Sequence, residues 1–176
     1  MIFLSANIPT PGREFYGTED VVAIREAVMA FTKVCMEKRL PFYFGGHPAI
    51  TPLVWEVARD YSQDDFSHLV KIYQSKFFLG KTPKEVAYFE NIHWTASKKY
   101  LPDDITQMRR QMFQENQTTA AVFIGGMDGV IDEFKMVQYY YPDVNVLPLA
   151  TTGAASARLY KDMHLDNLDF SDNSKL

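Results

Sequence analysis

The chain has 176 residues, 18 of them basic and 22 acidic for a formal charge of -4, and 47% are apolar. That length and balance fit one domain with a core of its own, and the mild acidity argues against a general phosphate-backbone binder. A single cysteine, Cys35, excludes an internal disulfide and a multi-cysteine zinc site, and no stretch approaches the ~20 apolar residues of a membrane span.

In chain order, Ile2-Phe3-Leu4 reads as a short strand running into Ser5-Ala6-Asn7. Val21 to Lys38 has apolar residues at spacings of three and four (Val21, Ile24, Val28, Phe31, Cys35) and predicts a helix, capped by Thr18 or Asp20. Pro41-Phe42-Tyr43-Phe44 is a second strand, broken by Gly45-Gly46, and Ile50 to Tyr61 returns to helical spacing. His68 to Ser75 predicts a third strand. Phe77 to Phe89 is ambiguous, with Thr82-Pro83-Lys84-Glu85 resembling a helix start. Asn91 to Thr95 predicts a strand, Asp103 to Glu115 a helix, and Ala120 to Ile124 the clearest strand of all, ending in Gly125-Gly126. Val130 to Tyr139 is a helix and Val144 to Leu149 a strand. A last helix opens at Thr152-Gly153-Ala154-Ala155 and reaches about Tyr160.

Strands alternating with helices predict an α/β fold, a Rossmann-like doubly wound and mostly parallel sheet with helices on both faces. The near-continuous apolar strands support burial on both sides. One domain is expected over 1–160, followed by a polar tail over 161–176. The opening Met1-Ile2-Phe3-Leu4 lacks a basic leader region, so the expected setting is cytoplasmic, with no membrane or nucleic-acid partner. Asn116-Gln117-Thr118 matches a glycosylation acceptor, which such a setting leaves unused.

In doubly wound sheets ligands lie beyond the carboxyl ends of the strands. Five segments stand there: Ser5-Ala6-Asn7, Gly45-Gly46-His47 through Thr51, Gln74-Ser75, Gly125-Gly126-Met127-Asp128-Gly129, and Thr151-Thr152-Gly153. All are small, hydroxylated or glycine-rich. Backbone that approaches closely, followed by a helix N-terminus, makes a cradle for an anion. Each glycine pair also has a simpler reading as a tight turn. Neither continues as a Walker loop or as G-x-G-x-x-G, which disfavours an ATPase or an ordinary dinucleotide oxidoreductase.

At these loops the chain resembles the SLOG superfamily, which includes the Lonely Guy phosphoribohydrolases, the DprA/Smf proteins and the nucleotide-sensing domains of TRPM channels and Thoeris effectors. The Lonely Guy motif P-G-G-x-G-T-x-x-E has its counterpart in Ile124-Gly125-Gly126-Met127-Asp128-Gly129-Val130-Ile131-Asp132-Glu133. Isoleucine stands for the proline, valine for the threonine, and one residue is added before the third glycine. Gln107-Met108-Arg109-Arg110 matches the family's arginine-bearing helix, and Phe44-Gly45-Gly46-His47 its earlier glycine turn. The resemblance covers about residues 1 to 160 and is nearer to bacterial SLOG clusters tied to nucleotide signalling than to the hydrolases. It implies a phosphorylated nucleoside or ADP-ribose-like ligand, a homodimer or higher homo-oligomer, and no cofactor.

The resemblance casts Glu133 as a carboxylate holding ribose hydroxyls or stabilising an oxocarbenium-like centre, and Arg109 as a bidentate phosphate clamp. Read without it, Glu133 complements a helix dipole and Arg109 is a surface arginine; of Arg109 and Arg110 one points outward, and Arg109 is favoured for the inner face. Asp132 is expected to be solvated. His47 points toward the crevice, and Arg13, in the long loop after the first strand, is placed to contact phosphate. His68, His93 and His164 show no metal-ligand spacing, so no metal site is expected. Three functions compete: a nucleotide-binding or sensing module, a hydrolase of an N-glycosidic bond, and an interaction domain without a ligand.

Overall fold

The computed structural model describes residues 1–172, with side-chain surroundings through His164. Six parallel strands form one sheet: β1 (Ile2–Asn7), β2 (Phe42–Gly45), β3 (Val70–Ser75), β4 (Ile92–Thr95), β5 (Ala120–Gly125) and β6 (Asn145–Leu149). Their spatial order is β4-β3-β2-β1-β5-β6. The helices are α1 (Val21–Glu37), α2 (Thr51–Ala58), α3 (Gln63–Leu69), α4 (Leu101–Gln114), α5 (Asp128–Tyr140) and α6 (Ala154–Asp172). The doubly wound α/β architecture is the one that the alternation of patterns predicts.

Strand residues alternate between two cores. Leu4, Phe42, Phe44, Ile72, Val122 and Ile124 face α1, α2 and α3. Phe3, Tyr43, Tyr73, Ala121 and Phe123 face α4, α5 and α6. Because both faces are covered, the strands read as unbroken apolar runs rather than as in/out alternation.

Three expectations need correction. The third strand starts at Val70, because Gln63–Leu69 is a short helix that takes His68. Its start is fixed by Ser62, whose hydroxyl accepts the Asp65 N–H and donates to the Asp65 carboxylate. Residues 76–88 contain two 3₁₀ turns (Lys76–Phe78 and Lys84–Tyr88), not an α-helix. Finally, α6 continues past Tyr160 into the expected polar tail. No glycine or proline occurs after Gly153 to stop it, and Arg158 pairs with Asp162 one turn on. Residues 173–176 of that expected tail lie outside the described residues.

The chain order reverses between β1 and β5, which pair along their full length from Ile2↔Ala120 to Asn7↔Gly125. Such a switch point opens a crevice at the carboxyl ends of its two strands. The fold therefore brings Asn7 and Gly125 to the place where a ligand is expected.

Candidate functional site

A cavity of about 560 Å³ lies at that switch point. Asn7 and Arg13 reach it from β1 and the loop behind it, His47 from the end of β2, and Met127, Asp128 and Gly129 from the end of β5. The other wall comes from Phe78 after β3 and from the first turns of α4: Leu101, Pro102, Ile105, Thr106 and Arg109. Asp132 of α5 completes it. One side is thus polar and charged, the other largely apolar.

The turn after β5 is held from behind. Gly125 and Gly126 have φ of 58° and 101°, a region that costs a side chain strain, and a Cβ on either would run into Ile24 or Val130. The Thr152 hydroxyl accepts the Gly125 N–H at 2.8 Å, Ser156 donates to the Gly125 carbonyl at 2.9 Å, and the Asn7 carbonyl accepts the Gly126 N–H at 2.9 Å. Every one of these bonds is spent on the turn itself.

Arg109 and Glu133 meet under the cavity floor with side chains 14% and 15% exposed. Arg109 Nε donates to Glu133 Oε1 at 3.0 Å, and Ser5 Oγ donates to Glu133 Oε2 at 2.5 Å. Arg109 also donates to the Gly129 carbonyl at 3.0 Å and to Asp132 at 3.4 Å. The third glycine of the motif has a steric reason here, since a Cβ at residue 129 would stand 2.6 Å from Arg109 Nη2. Arg110 points outward and is exposed, which decides between the two arginines. The expected phosphate clamp is consequently an arginine already bonded to Glu133, Asp132 and the Gly129 carbonyl.

Above the floor, Arg13 Nη2 bonds Asp128 Oδ1 at 2.8 Å, with both side chains half exposed. Asp128 is the first residue of α5, and its carboxyl lies below the usual range because of Arg13 first and the N–H groups of Gly129 and its own residue last. His47 is enclosed enough that its pKa falls to about 4, which leaves the ring neutral near pH 7. Its Nδ1 accepts the Ala49 N–H at 3.2 Å, so the ring proton sits on Nε2. Asn7 Oδ1 is buried with no hydrogen-bond partner among the described residues.

A family model described as SLOG cluster3 matches residues 14–175. The chain belongs to the SLOG cluster3 family. It is similar in fold to the X-ray structure of TM1055, a Northeast Structural Genomics Consortium target, with a TM-score of 0.58 and 15% identity over 90% of this chain and 78% of that one. No protein with a curated description matches it.

In this SLOG cluster3 chain several residues expected at the ligand stand behind the wall instead. Ser5 and Glu133 bond each other beneath it. Ala6 packs on the opposite face of the sheet, toward α1. Gly45 abuts Met108, and Gly46 makes room for the buried Gln74. Thr51 accepts the His47 N–H at 3.2 Å and so closes its own loop. Thr152 locks Gly125, while Gly153 lies against the backbone of Thr18 and Glu19. Val130, where the motif has threonine, is fully buried in the core.

The residues that sequence reasoning missed are Phe78, Leu101, Pro102, Ile105, Thr106 and the half-exposed Asp132. They come from three segments distant in sequence, and nothing in their spacing announces a shared wall. Among the described residues no three His, Cys, Asp or Glu side chains are grouped to share a metal ion, and no helix is long and apolar enough to cross a membrane.

Proposed function

We propose that the chain binds a nucleotide-type small molecule at the β1/β5 switch point and acts as a sensing module. The carrying observation is the cavity itself, a concave site with an apolar wall for a base and the polar side chains of Asn7 and His47 for hydroxyl or amino groups. Family membership supports a nucleotide-related role. Calorimetry against nucleosides, their mono- and diphosphates and ADP-ribose tests it. Binding of at least one compound is expected, with Asn7→Leu weakening it. Absence of heat for every compound at millimolar concentration overturns the reading.

A second reading is cleavage of an N-glycosidic bond, favoured by the enclosed Arg109–Glu133 pair directly under the cavity. In it Glu133 stabilises positive charge developing at the sugar while Arg109 and Ser5 hold its orientation. Chromatographic detection of released base checks this, and full activity in Glu133→Gln would exclude that role. A homo-oligomeric state belongs to the same proposal, and sedimentation of the purified chain decides it.

A further inference from the structure

Every charged side chain lining the cavity already has a partner. Arg13 is paired with Asp128 at 2.8 Å, and Arg109 with Glu133 and Asp132 at 3.0 and 3.4 Å. No unpaired cation is left to receive an anion. Asp128 stands at the first position of α5. Its carboxylate, backed by Arg13, stands at the positive end of the helix dipole where a phosphate would otherwise settle.

The polar groups left open are neutral. Asn7 lines the cavity with its side-chain amide, and His47 offers its Nε2 proton, because Nδ1 is taken by the Ala49 N–H. A sugar hydroxyl both donates and accepts, and an amino group on a base donates. Phe78, Leu101 and Ile105 supply an apolar surface for a flat ring on the other side.

We propose that the ligand part seated in this cavity is uncharged, a nucleoside rather than a nucleoside phosphate, with the protein's own Asp128 carboxylate standing in the phosphate position. This rests on the reading of the cavity as a nucleotide-type site and specifies its ligand class. The chain thereby keeps the anion cradle of its glycine turn but fills it internally.

The experiment is calorimetry of the full chain with adenosine, guanosine, cytidine and uridine and with the 5′-monophosphate of each, for the wild type and for Asp128→Ala and Asp128→Asn. In the wild type at least one nucleoside binds about tenfold or more tighter than its own monophosphate. Both variants raise the ratio of monophosphate to nucleoside affinity by about tenfold, because removing the carboxylate frees Arg13 and the start of α5. Circular dichroism confirms that the variants fold, as expected for a half-exposed side chain. A monophosphate that binds the wild type as tightly as its nucleoside overturns the inference and leaves the nucleotide-type reading standing. So does a ratio that neither variant raises. Failure of all eight compounds with all three proteins overturns the inference, and failure of the diphosphates and ADP-ribose as well overturns both.

Discussion

The chain holds two Gly-Gly turns between a strand and a helix, and they work by different physics. After β5 both glycines have positive φ, and the turn is tied down by Thr152, Ser156 and the Asn7 carbonyl. After β2 neither glycine does. Gly45 and Gly46 are small because Met108 and Gln74 press on them, and the loop is closed by the Gly46 N–H on the Tyr73 carbonyl and by Thr51. The same dipeptide therefore marks an obligatory conformation in one place and close packing in the other. Only the first needs glycine for its backbone.

The sharpest break of that comparison is Gly126→Ala. Strain at φ of 101° adds to a collision with Val130, so unfolding in denaturant should show a loss of about 3–5 kcal/mol. A loss below about 1 kcal/mol would make the two turns equivalent. The next effect is on pH dependence and belongs to the β2 turn alone. The His47 pKa is depressed from 6.5 to about 4, so the folded state stays unprotonated where the unfolded chain has taken up a proton. The stability it contributes is complete above about pH 6.5 and is lost as pH falls toward 4, by about 3 kcal/mol at most. His47→Gln should flatten that acid limb in chemical denaturation, and an unchanged limb would remove His47 as its source.

Thr152→Val comes third. It leaves the buried Gly125 N–H without its acceptor and should cost about 1–3 kcal/mol in the same assay. The smallest effect is expected for Gly45→Ala. Its new Cβ meets only the flexible end of Met108, at 3.3 Å, and thermal denaturation should register less than about 1 kcal/mol.

Much of the fold was legible because its signals are local. Ala120–Gly125 and Phe42–Gly45 are apolar runs ended by glycine, and α1 and α4 have long stretches of helical spacing. Helix α3 escaped because seven residues hold too few apolar positions for a period, and its Leu69 runs directly into Val70 of β3. The capping pair Ser62 and Asp65 was the available signal. The end of α6 was missed for a different reason, since the apolar spacing fades after Tyr160 although no glycine or proline stops the helix.

At the candidate site the residues next to the strand ends were legible, because the switch-point rule depends only on strand order. The α4 wall was not. Leu101 and Ile105 reach the cavity only because the β4-to-β5 crossover carries α4 back over the sheet, a fact of topology. Partnering was hidden as well, since sequence places Arg13 and Asp128 near a phosphate but does not say that they satisfy each other.

The central position of β1 also has a consequence for synthesis on the ribosome. One edge of this strand meets β2, which follows it closely in the chain, but its other neighbour, β5, begins only at Ala120. At about 5–20 residues per second the second edge stays open for roughly 6 to 23 seconds. During that interval the nascent chain carries an unprotected apolar strand at what will become the middle of the sheet.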